Sequence, residues 1–125
     1  MKRLVLVLGL VAAAAISAAC SAGAAQPVPS GPIVDGPTVV AKDSKFAPST
    51  IELKADQNQP LHLDNQDALP HNVAIYGDAG FSQKISVGEV VTQKKADLVV
   101  PALKAGTYFF RCDIHPDMKG EVVVK

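Results

Sequence analysis

Thr107-Tyr-Phe-Phe-Arg-Cys-Asp-Ile-His-Pro-Asp-Met-Lys-Gly120 decides how this chain is read. Its first five residues are β-branched or aromatic for the most part, which suits a strand. Beyond them a thiolate (Cys112), an imidazole (His115) and a thioether (Met118) follow at three-residue steps. A second imidazole, His71, stands upstream in Leu69-Pro-His-Asn-Val73. One Cys, two His and a weak Met are the donor set of a blue-copper electron-transfer centre, and few other metals select it. Zinc is the main rival, because two His and a Cys can bind it, but a thioether is not among its usual ligands.

Such a centre has to suit both Cu(I) and Cu(II), so its ligands must be held in a geometry that changes little with redox state. In such a centre Cys112 would supply the short thiolate bond, His71 and His115 would complete an approximately trigonal plane, and Met118 would sit axially at longer distance. His71 comes from a separate loop, so the site requires tertiary folding and cannot exist in the unfolded chain. Pro70 before His71 and Pro116 after His115 restrict the backbone at both imidazoles.

The rest of the chain from Thr38 onward fits a β scaffold. Short β-branched or aromatic runs at Val39–Ala41, Thr50–Lys54, Leu61–Asp64, Asn72–Tyr76, Lys84–Val87, Ala96–Val100, Thr107–Arg111 and Glu121–Lys125 are punctuated by Asp43-Ser44, Asp56-Gln-Asn58, Asn65-Gln-Asp67, Gly77-Asp78 and Lys104-Ala-Gly106. Seven to eight short strands with turns at this spacing predict an all-β Greek-key sandwich or barrel, and no window sustains a helical period. Val39, Phe46, Ile51, Leu53, Val73, Ile75, Val99, Phe109 and Val123 are the expected core. His62, between Leu61 and Leu63, falls on the solvent phase of its strand and is not counted as a ligand. Asp113 and Asp117, flanking His115, are expected to keep the loop soluble, with steering of a positively charged partner as the alternative.

Residues 37–125 resemble the cupredoxin (blue copper) family, from Lys45-Phe-Ala-Pro-Ser-Thr-Ile51 through Leu69-Pro-His-Asn-Val73 to the Cys-x-x-His-x-x-Met loop. The resemblance is to the amicyanin-like and plastocyanin-like single-domain members, and the loop spacing is similar to amicyanin and shorter than the corresponding loops of plastocyanin and azurin. The resemblance implies one type 1 copper bound by His71, Cys112, His115 and Met118. It also implies that Asn72, next to the first His, ties the two ligand loops together by hydrogen bonds, and that His115 reaches the surface at an apolar patch and serves as the electron port.

At the N-terminus, Met1-Lys-Arg3, an apolar run from Leu4 to Ile16 and the small residues Ser17-Ala-Ala19 have the order of a secretory signal. The run is shorter than the roughly 20 residues of a membrane-spanning helix. Ile16-Ser-Ala-Ala-Cys20 resembles a bacterial lipobox, with Ser17 where that family usually has Leu. The expected organisation is a signal peptide over 1–19, a lipid-anchored flexible linker over 20–36 beginning at an acylated Cys20, and a copper-binding domain over 37–125. The composition of Ser21 to Gly36, with Pro27, Pro29 and Pro32, predicts a disordered or partly extended tether that would reach about 50 Å if polyproline-like, at ~3.1 Å per residue. Ordinary cleavage after Ala22-Gly-Ala24 is the alternative and would release a freely secreted protein. Either way the protein is exported, to the periplasm or the cell surface.

Composition narrows the function classes. The 12 Lys and Arg balance 12 Asp and Glu, and removing Lys2 and Arg3 leaves 10 basic against 12 acidic residues, with no basic cluster of the kind nucleic acid requires. At 125 residues the chain has room for one domain of roughly 100–150 residues. An exported chain normally pairs its cysteines, yet one lies in the signal region and the other among metal-type donors. A Cys20 to Cys112 disulfide would consume both. The function expected is single-electron shuttling between redox protein partners by a monomer. A periplasmic or surface copper carrier or buffer is the alternative, but such proteins present several exchangeable Met and His donors, whereas one Met and three His remain here after signal removal. An enzyme of this kind needs additional copper sites built from His clusters, which the chain lacks, so no catalytic residues are assigned.

Overall fold

Strand β1 (Thr38–Lys42) buries Val39 and Ala41 and turns its other residues outward, and that alternation recurs through most of the sheet residues. The computed structural model describes residues 35–125, and among them nine strands and no helix are found. After β1 come β2 (Lys45–Ala47), β3 (Thr50–Leu53), β4 (Gln59–Asn65), β5 (Ala74–Tyr76), β6 (Lys84–Val87), β7 (Lys95–Val100), β8 (Gly106–Arg111) and β9 (Lys119–Val124). The ninth strand relative to the expected set is β2, three residues long and thus short for a periodic signal.

Two sheets form. One has the order β2-β1-β4-β7, the other β3-β9-β8-β5-β6. The β1–β4 and β3–β9 pairs are parallel and the remaining pairs antiparallel, so the chain crosses between sheets instead of running as a simple meander. The core lies between the inner faces, with Val39, Phe46, Ile51, Leu53, Leu61, Leu63, Ile75, Val100, Phe110 and Val122 buried together.

Three expected core residues are displaced by one position. Val99 is exposed, Phe109 and Val123 are half-buried, and their neighbours Leu98, Val100, Phe110, Val122 and Val124 fill the core instead. In Leu98-Val-Val100, Tyr108-Phe-Phe110 and Val122-Val-Val124 both faces of the strand are apolar, so the sequence pattern carries no phase. The ladder settles it: Phe110 stands opposite Gly120 and packs on Phe46 with ring centroids 5.5 Å apart. Gly120 has to be glycine, because a Cβ there would lie 2.3 Å from the Ser49 carbonyl oxygen and 2.5 Å from the Phe110 ring.

Strand β1 turns into β2 through Asp43 and Ser44, both in the left-handed region at φ 51° and 54°. Two positive φ values at the centre of a two-residue connection define the turn type that matches sheet twist, at a cost for non-glycine residues.

Candidate metal centre

Between the end of β8 and the start of β9 the chain forms a short loop held by its own backbone. The Cys112 N–H donates to the Met118 carbonyl at 2.9 Å, and the Met118 N–H donates to the His115 carbonyl at 2.9 Å. These two bonds close residues 112–118 into a tight ring and turn Cys112 and Met118 inward, where both are buried, while His115 stays half-buried. The other imidazole arrives on a different segment. His71 pairs with Val91 through reciprocal backbone bonds of 3.0 and 2.9 Å and is fully buried.

The structure brings Cys112, His71 and His115 together. His71 Nδ1 lies 3.1 Å from His115 Nδ1, and Cys112 Sγ lies 3.8 Å from each of these nitrogens. A point equidistant from the three atoms is about 2.1 Å from each, close to the ~2.0–2.1 Å and ~2.3 Å at which imidazole nitrogen and thiolate sulfur bind a first-row divalent ion. Cys112 is a free, buried thiol. Met118 belongs to the same buried cluster as Cys112. The donor set and its spacing therefore fit a single soft-to-borderline metal ion in a plane of two nitrogens and one sulfur.

The atoms behind the imidazoles matter as much. Asp67 Oδ2 accepts a hydrogen bond from His71 Nε2–H at 2.9 Å. A carboxylate only accepts, so Nε2 carries the proton and Nδ1 is left with its lone pair pointing at Cys112 and His115. Backbone N–H groups hold this carboxyl below its usual range, Ser44 foremost; partial burial opposes the shift, and the bond from His71 adds to it. Asn65, buried at the end of β4, donates to the carbonyls of Leu69 and Val91 at 2.8 and 2.7 Å, pinning the two stretches of chain that flank His71. Sequence alone marks neither Asp67 nor Asn65, since Asn65-Gln-Asp67 reads as a turn; the available signal is a carboxylate four residues before a candidate ligand His.

Asn72 accepts the Asp113 N–H at 2.9 Å through Oδ1, joining the segment after His71 to the segment after Cys112. Asp113, expected to keep the loop soluble, also belongs to a cluster. It accepts from the Tyr76 hydroxyl and from Lys84 Nζ at 2.6 Å, and lies 3.6 Å from Arg111 Nε. Burial pushes its carboxyl up, but Lys84 and Tyr76 outweigh that and hold it below the usual range. The Arg111 guanidinium stacks on Tyr76 and Phe81 at 4.8 and 4.9 Å from the ring centroids. His62 stands apart, on the outward face of β4 opposite Asp97, with 2.6 Å between Nδ1 and Oδ1. Cys20 and the segments 1–19 and 20–34 lie outside the described residues.

A sandwich of this topology carrying a buried Cys between two imidazoles defines a class, and the chain belongs to it: the model of the cupredoxin-like domain family matches residues 7–124. Amicyanin-alpha of Methylorubrum extorquens is 32% identical over 114 residues, covering 91% of this chain and 92% of that protein. Among solved structures, a reduced Cu(I) form of an amicyanin variant is similar with a TM-score of 0.56 and 25% identity, over 73% of this chain and 84% of the other. Auracyanin A, a "blue" copper protein of Chloroflexus aurantiacus, shares the fold with a TM-score of 0.60 at 20% identity, over 72% of this chain and all of that one.

Proposed function

We propose that this chain is a type 1 copper protein that carries single electrons between redox partners outside the cytoplasm. The observation that carries the proposal is the triangle of His71 Nδ1, His115 Nδ1 and Cys112 Sγ, with Met118 buried in the same core cluster as Cys112. These four residues are assigned as the ligands. Copper held there supplies a one-electron Cu(I)/Cu(II) couple.

The chain's own residues do the rest. The closed 112–118 loop and the His71–Val91 bridge keep the donors at nearly fixed separation, so little reorganisation accompanies a change of redox state. Burial of Cys112, His71 and Met118 excludes water from the centre. His115 is the least buried of the four, and Leu69, Val90 and Ile114, each roughly half exposed at 48, 47 and 46%, lie on the segments that bear or bridge the two imidazoles. Exposed apolar side chains on these segments suit brief docking of a redox protein, with His115 as the port. No substrate is transformed, and the protein acts as a carrier rather than as an enzyme.

For the remainder of the chain the proposal is a signal peptide over 1–19, acylation at Cys20, a tether over 20–36 and a monomeric copper domain over 37–125, held at a membrane surface in the periplasm or on the cell exterior. Redox cycling with a chelator present tests the function against copper delivery. An electron carrier loses and regains its colour over many cycles with ascorbate and ferricyanide while keeping its metal. Transfer of the copper to the chelator within the first cycles would contradict the proposal.

A further inference from the structure

Three hydrogen bonds from two distant parts of the chain meet on the side chain of Asp67. Oδ1 accepts the Asp43 N–H at 2.7 Å, and Oδ2 accepts the Ser44 N–H at 3.0 Å and the His71 Nε2–H at 2.9 Å. The Asp67 backbone is fixed as well, its N–H donating to Asn65 Oδ1 at 2.9 Å and its carbonyl accepting the Gln93 N–H at 3.3 Å. The side chain is only 13% exposed.

We propose that Asp67 is the positioning residue of the metal centre: it locks the tautomer and orientation of His71 against the β1–β2 turn, so that Nδ1 is aimed at the metal before any metal arrives, and its negative charge favours the oxidised form of the bound copper. The inference rests on the copper reading above and adds the residue that sets the geometry and potential of one ligand. Its logic is physical. An imidazole on a buried loop can flip or tilt unless its second nitrogen is held, and a carboxylate is the strongest acceptor available to hold it. That carboxylate must itself be immobile to be of use. Here it is anchored by the N–H groups of Asp43 and Ser44, two non-glycine residues in left-handed conformations whose cost the same bonds offset. The turn and the ligand thus define each other. Negative charge delivered through the imidazole raises its donor strength, and Cu(II) gains more from this than Cu(I).

The test compares the protein with Asp67→Asn and Asp67→Ala. An asparagine keeps the shape but brings one acceptor oxygen and an amide nitrogen that faces donors, so the turn and His71 cannot both be served. The expected result is a Cu(II) affinity about 10–100-fold weaker, a smaller loss for Cu(I), and a reduction potential raised by ~59 mV for each tenfold change in the ratio of the two affinities. If Asp67→Asn lowers only the melting temperature of the metal-free protein, and leaves potential and Cu(II) affinity unchanged, Asp67 is a turn anchor and the proposal is overturned. A measurement on the unaltered, metal-free protein decides independently of whether the variants fold. The Nε2 proton of His71 is expected as a slowly exchanging, downfield NMR resonance correlated with a single tautomer, and fast exchange between tautomers would overturn the assignment. Failure of the protein to form any coloured copper site would count against the copper reading alone, because the tautomer measurement needs no metal.

Discussion

Cys112 and Met118 both offer sulfur, yet they make opposite demands on a copper ion. The thiolate forms the short covalent bond that gives a type 1 site its intense charge-transfer colour, whereas the thioether contributes weakly and mainly tunes the potential. Replacing Cys112 by Ser is predicted to abolish the blue charge-transfer band while the fold persists, and persistence of that colour would refute the ligand assignment. Met118→Leu is predicted to keep a coloured site and to raise its reduction potential, because an axial donor stabilises Cu(II) more than Cu(I); voltammetry of the variant checks the sign. Asn72 works by a different route. Its Oδ1 receives the Asp113 N–H at 2.9 Å, so Asn72→Ala strands a donor that is part-buried, at a cost of about 1–3 kcal/mol, read from chemical denaturation of the metal-free protein. The ligands themselves are legible because thiolate, imidazole and thioether are rare residues at a diagnostic spacing. Asp67 and Asn65 are not, because in sequence a polar residue in a turn looks the same whether it faces water or holds a ligand.

At the scale of elements, the all-β architecture and eight of the nine strands follow from short β-branched runs and dense turn residues. What the pattern does not carry is strand phase where both faces are apolar. It places Val99, Phe109 and Val123 inside, and the ladder turns Val100, Phe110 and Val122 inward instead. Phase there depends on long-range registry, Phe110 opposite Gly120 and Leu98 opposite Leu61, which no local window contains. Gly120 is the element-scale constraint with the clearest consequence. A methyl group at this position meets the Ser49 carbonyl at 2.3 Å and the ring of a fully buried Phe110. Gly120→Ala is therefore predicted to destabilise the metal-free protein by about 1–3 kcal/mol, with a thermal midpoint lower by ~4–8 °C per kcal/mol for a domain of this size. An unchanged midpoint would mean that β8 and β9 separate at this point more easily than their register implies.

The whole molecule combines a two-sheet scaffold with a site that exists only within it. Both sheets close around one core, and the donors are drawn from the segment after β8 and from the segment bridged to Val91, so folding assembles the triangle and metal then stabilises the fold by mass action. The near-balanced charge, 12 basic against 12 acidic residues over the full sequence, gives no strong field to steer a partner, and in the proposed function docking falls to the exposed apolar residues Leu69, Val90 and Ile114. The central claim is that His71, Cys112 and His115 form one type 1 copper site. A visible-absorption titration of the protein with Cu(II), followed by ascorbate, tests it most directly. The account predicts an intense blue band that saturates at one copper per chain and bleaches reversibly; copper bound without that band, or spread over several weak sites, would contradict it.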